Sequence, residues 1–178
     1  MLLLSLASAS LILTYSQSQA IASTSTPTST SGKLQPLPTK VCANLQADVA
    51  GVLSKVQQVT LKTPAQFEDQ ISKAKGTACQ LTATSTGKTF KTISDLVTPL
   101  AATLTKKGWV EDQQYAADSP EDKLIGFRKG KDLVVLNIKS GLTKSVKCPN
   151  VSVDTCYQQA KPAQILYQIT LEAVRSVQ

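Results

Sequence analysis

Leu100-Ala101-Ala102-Thr103-Leu104-Thr105-Lys106-Lys107-Gly108-Trp109-Val110-Glu111 is the stretch across which the hydrophobic period changes. Before it, Ile93, Leu96, Val97, Leu100 and Leu104 recur at three- and four-residue steps, the spacing of one buried helix face. Thr92 stands ahead of that run with Asp95 three residues on, a pair that can satisfy two orphan backbone donors at a helix start. Lys106 and Lys107 suit the negative end of the helix dipole, and Gly108 supplies the stop. Pro99 predicts a kink, or a restart capped by Thr98. After Trp109 the period is two. Residues 109–115 and Lys123–Arg128 read as strands, and Lys129-Gly130-Lys131 as a tight reversal into Asp132–Ile138, the clearest strand of the chain. A fourth strand covers about Gln164–Val174, with Ile165, Tyr167, Ile169 and Leu171 pointing one way and Gln168, Thr170 and Glu172 the other.

Upstream, Cys42, Leu45, Val49, Val52, Val56 and Val59 share a helical face, which predicts a first helix over Val41–Val59. Thr63-Pro64-Ala65-Gln66 has the form of a capped helix start, and Phe67, Ile71, Ala74 and Ala78 follow at helical spacing, predicting a second helix to Cys79. Residues 82–91, rich in Thr, Ser and Lys, read as a loop. Helices first and strands after them predict an α+β domain, with about three N-terminal helices packed on a four-stranded antiparallel sheet and two disulfides. In outline that resembles small exported folds of the cystatin-like or NTF2-like type, on architecture alone. The Gln-x-Val-x-Gly wedge of cystatins is absent. Trp109, at the helix-to-strand junction, is expected to anchor the core.

The single domain is expected over 41–178. Residues 2–13 form an uncharged, Leu-rich run, shorter than the about 20 residues a membrane span needs but suited to a secretory leader. Ser18-Gln19-Ala20 and Ala20-Ile21-Ala22 offer small residues at cleavage spacing, so 1–22 reads as a signal peptide, although no Lys or Arg precedes the apolar run. Residues 23–40 are rich in Ser, Thr and Pro, a composition that buries too little apolar surface to offset chain entropy, and they read as an extended tether. Cys42, Cys79, Cys148 and Cys156 are an even set behind that leader, which predicts two disulfides in an extracellular or periplasmic setting. Three connectivities exist, and Cys42–Cys79 with Cys148–Cys156 keeps each bridge within a local unit.

The chain has no His, which removes Ser-His-Asp and Cys-His nucleophilic systems and the commonest metal ligand. No C-x-x-C spacing is present, so neither a metal nor a cofactor is expected. Glu111, Asp112, Asp118, Glu121 and Asp122 lack the EF-hand spacing and read as a solvated acidic loop. Asn150-Val151-Ser152 fits an N-glycan acceptor. The net charge of +7 favours anionic partners. Lys123, Arg128, Lys129, Lys131, Lys139, Lys144 and Lys147, against Asp132 alone, mark residues 123–147 as the candidate anion-binding segment. Nucleic-acid readers add stacking aromatics, and only Phe127 lies there, which leaves acidic polysaccharide or lipid headgroups as the expected partners. The expected function is an exported, non-enzymatic module that contacts an anionic surface or partner through this basic hairpin. The alternative is a carrier or pocket-type enzyme holding a small ligand between sheet and helices.

Overall fold

The computed structural model describes residues 33–54, 58–119 and 121–177, so the expected leader and residues 23–32 of the expected 23–40 tether lie outside the described residues, whereas residues 33–40 belong to the folded domain, with a strand at Lys33–Pro36 and a helix beginning at Thr39. In chain order the elements are β1 (Lys33–Pro36), α1 (Thr39–Val52), β2 (Thr60–Glu68), β3 (Lys75–Thr86), α2 (Ile93–Lys106), β4 (Val110–Asp118), β5 (Asp122–Lys129), β6 (Asp132–Leu142), α3 (Val153–Gln159) and β7 (Ile165–Val177). The seven strands form one sheet in the order β2-β3-β1-β7-β6-β5-β4. It is mixed, because β1 runs parallel to β3 while every other pairing is antiparallel. The four-stranded antiparallel sheet under three N-terminal helices is therefore overturned, and with it the cystatin-like and NTF2-like outline.

The second expected helix, Thr63 to Cys79, is instead the β2–β3 hairpin. Its apolar residues fit both periods, and the strand alternation wins. Ala65, Phe67 and Ala78 are buried across the pair, while Ile71 sits 51% exposed in the turn. Pro64, in a cis peptide with Thr63, falls where the register shifts between Lys62 and Ala65, the kind of position at which a strand tolerates proline. The expected loop at 82–91 is largely β3. Cys79, Leu81, Ala83 and Ser85 are buried, Thr82 and Thr84 are exposed, and β7 pairs the run continuously from Cys79↔Ala173 to Thr86↔Leu166. Threonine is β-branched and fits a pleated, half-solvated surface, so its abundance there marks a strand.

α1 ends at Val52 instead of Val59, and the chain turns at buried Leu53. α2 starts at the expected cap: Thr92 Oγ1 accepts from the Asp95 N–H at 3.2 Å, and the Asp95 carboxylate accepts from the Thr92 N–H at 3.0 Å. It runs through Pro99 without a restart. The strands expected from 109 onward are present as β4 to β7, within a larger sheet. Both expected disulfides are formed, Cys42–Cys79 and Cys148–Cys156.

One sheet face carries α1 and α2. Leu45, Val49, Leu96, Leu100 and Leu104 from the helices meet Leu81, Phe127, Val134, Leu136, Ile138, Ile169 and Leu171 from the strands, with Trp109 sealing the junction at 4% exposure. The other face has its own cluster: Leu34, Phe67, Ala78, Tyr115, Leu133, Val135 and Val174. That second core follows from β1, which wedges between the start of β3 and the end of β7, pairing Leu34 with both Gly76 and Ser176. The β2–β3 tip folds across the open face, and the Tyr115 hydroxyl of β4 donates to Asp69 in the tip at 2.8 Å. Opposite edges of the sheet thus touch.

Gly76 is the contact that lets β1 in, since a Cβ there would lie 2.2 Å from the Leu34 carbonyl oxygen. Gly76→Ala is expected to cost about 1–3 kcal/mol in urea unfolding. Gly51→Ala, on α1 with open space around it, should instead stabilise by up to about 1 kcal/mol. Equal midpoints for the two variants would refute the wedge.

Candidate functional site

The basic segment spans β5, β6 and the connection beyond, and strand geometry divides it. Lys123 and Lys129 are six residues apart on β5, about 20 Å at the usual rise. Lys123 pairs with Asp118 at 2.6 Å, beside the β4–β5 turn. Lys139, opposite Asp122, lies toward that end of the sheet on the face away from the helices, and Lys144 and Lys147 follow the end of β6. Lys139, Lys144 and Lys147 are exposed. The remaining three, Arg128, Lys129 and Lys131, gather at the β5–β6 hairpin. The seven cations therefore do not form one patch.

The hairpin cations gain companions that sequence proximity does not reveal. Lys129 Nζ donates to the Lys107 carbonyl at 2.7 Å, which brings the C-terminal end of α2, with Lys106 and Lys107, against the hairpin. The Ser176 N–H donates to the Lys131 carbonyl at 3.2 Å, and Ser176 pairs with Leu34, so Lys33 lies on the next strand but one from Lys131. Arg175 closes the group, held by Asp132 in a two-pronged contact at 2.6 and 2.8 Å.

Several of these charges are already engaged. Arg128 binds Asp112 at 2.5 Å and lies 5.7 Å from the centre of the Tyr115 ring. Lys107 binds Asp48 at 3.1 Å. Lys33, Lys106 and Lys131 are exposed and form no ion pair among the described residues. The chain enters β1 at this same end, because Lys33 is the first described residue and pairs with Val177 at the end of β7.

Two of the five acids of the acidic loop are engaged locally, Asp112 by Arg128 and Asp118 by Lys123. Among the described residues no group of three or more metal-ligating side chains converges. On the open face Glu172 is half-buried, and burial raises its pKa above the ordinary carboxylate range, with the Gln80 amide at 3.0 Å working the other way. Its cross-strand neighbours are Gln80 and Val135, so no second carboxylate faces it across the ladder to make a catalytic pair. Trp109 is a core residue, as its junction position implied. Asn150 sits exposed in the turn between Cys148 and Cys156 with φ at 63°.

Two disulfides suit an oxidising compartment. Among the described residues no helix is long and apolar enough to cross a membrane. No family model, no curated protein and no solved structure matches this chain.

Proposed function

We propose that this chain is an exported, non-enzymatic module that docks on anionic lipid headgroups through its basic end. The observation that carries the reading is the convergence of Lys131, Lys106 and Lys33 with Lys129, Lys107, Arg128 and Arg175 at one end of the domain. Ammonium groups on flexible stems act as point charges for phosphate, with attraction that fades beyond a Debye length of about 8–10 Å. The N-terminal chain enters at the same end, so a segment tethered there would present these cations to the surface that holds it. Residues 1–22, read as an export leader, and the two disulfides support a location outside the cytosol.

The test is sedimentation with phosphatidylglycerol-rich vesicles against neutral phosphatidylcholine vesicles across a salt series. Each Lys near an anionic leaflet is worth about 1 kcal/mol, so Lys33/Lys106/Lys131→Glu should weaken binding by roughly two orders of magnitude. Lys144/Lys147→Glu, at the other end, should retain most of it. Equal losses would reduce the effect to net charge and end the proposal. Retention on heparin without vesicle binding would move it to acidic polysaccharide.

A further inference from the structure

At the N-terminal end of α2, away from the basic end, lies a groove of about 560 Å³ between α2, β7, α3 and the β4–β5 turn. Its volume falls within the about 300–1,000 Å³ range of small-molecule sites. The floor is apolar: Ile93 and Val97 from α2, and Ile165 and the Tyr167 ring from β7. Tyr167 is 2% exposed, and its hydroxyl donates to the Lys91 carbonyl at 3.2 Å, which fixes the ring in place.

Tyr157, next to Cys156 on α3, also lines the groove. A helix of seven residues is too short to persist unaided. The Cys148–Cys156 bridge ties this one down and so holds Tyr157 in the groove lining. The concavity is thus covalently built.

The rim decides the ligand's charge. Lys91, an exposed lining residue, forms no ion pair among the described residues, and Lys123 lines the groove with Asp118 as its partner. Ser94, Thr98 and Ser119 add hydroxyl donors. Burial, reinforced by Tyr157 and Asp95, raises the Tyr167 pKa, so its phenol stays neutral throughout the physiological range.

We propose that this groove binds a small amphiphilic acid, its apolar body on the Ile93–Val97–Ile165–Tyr167 floor and its carboxylate at Lys91. This site is separate from the basic end and does not depend on lipid docking.

Anilinonaphthalene sulfonate, an apolar anion, is the probe, with dodecanoate and naphthoate as competitors. A saturable, single-site fluorescence rise is expected, displaced by one acid or both; displacement by dodecanoate alone assigns an aliphatic ligand and by naphthoate alone an aromatic one. Lys91→Glu should weaken it roughly tenfold through loss of a charge-assisted contact. Thr98→Trp, an exposed rim position, should block the groove, with unchanged circular dichroism showing that the domain is intact. Lys33/Lys106/Lys131→Glu should leave the titration unaltered, which separates this site from the docking surface. A non-saturating titration, indifference to both groove variants, failure of both acids to compete, or equal displacement by dodecanol would each overturn the proposal.

Discussion

Replacing Cys42 and Cys79 together by alanine is expected to remove about 4 kcal/mol of stability, the chain-entropy value for a loop of 37 residues. A domain of this size has about 5–15 kcal/mol in total, so the variant should melt far earlier or fail to fold at body temperature. Both cysteines are wholly buried in the main core, where the bridge joins the first turn of α1 to β3. α1 has no side-chain cap and no acid in its first turn. Its position therefore rests on packing by Leu45 and Val49 and on this bond. Urea unfolding with intrinsic fluorescence reads the effect, and a rise in the m-value should accompany it, since the uncrosslinked denatured chain exposes more surface. The Cys148–Cys156 bridge closes a loop of only 8 residues, so Cys148/Cys156→Ala should lose about 2.5 kcal/mol at most. A Cys42/Cys79 variant within about 1 kcal/mol of the parent would show that the bridge constrains nothing.

Tyr115→Ala is expected to cost about 3–5 kcal/mol, the usual range for deleting a buried aromatic ring. Tyr115 is 2% exposed in the second core and lies over Gly126, where an added Cβ would sit 2.6 Å from it. Its hydroxyl also holds the β2–β3 tip, because Asp69 accepts from Tyr115, from the Ile71 N–H at 3.0 Å and from the Ser72 hydroxyl at 2.5 Å. Tyr115→Phe removes only the hydroxyl and should cost about 1.5–3 kcal/mol, the value of a hydrogen bond to a charged group.

The pH dependence of the parent follows from the same contacts. Burial by itself would raise the Asp69 pKa, but the Ser72, Ile71 and Tyr115 donors outweigh it and hold the carboxyl below its ordinary value. A depressed folded-state pKa stabilises above the unfolded value of about 4, and that stability drains away as pH falls through the folded value. Tyr115→Phe should therefore lose less stability than the parent as pH falls below about 4. Parallel acid-denaturation curves for the two proteins would rule out the clasp. At high pH the sign reverses. Tyr115 is raised, by burial first and Asp69 next, so its contribution is complete below about 10 and fades above it.

What could be read before folding was local. The Thr92–Asp95 cap and the stripe Leu96, Leu100, Leu104 specify α2 through contacts three and four residues apart. The unbroken apolar run Leu133–Leu136, too short for a buried helix and rich in valine, specifies β6 as a strand covered on both faces. Residues 63–79 fit a helix as well as a hairpin, since Phe67 and Ala78 lie inward under either period and only partners far away choose between them. β3 needed β7, more than eighty residues on, to become visible as a strand.

The candidate sites divide along the same line. Arg128, Lys129 and Lys131 sit together because a tight hairpin puts them together, and their neighbourhood was legible from spacing. Lys106, Lys107, Arg175 and Lys33 reach them only through the ends of α2, β7 and β1, and Lys123 leaves them because a strand is stiff and long. The groove at Lys91 draws on four elements remote in sequence.

Composition and short-range pattern by themselves determined the charge, the missing imidazole, an even set of thiols and each element whose contacts close within a turn or a hairpin. Tertiary structure decided the seven-stranded order, the β1 wedge, the second core and where cations meet. The reason is that side-chain period encodes which way a residue faces, whereas the partner on that face is chosen by long-range packing.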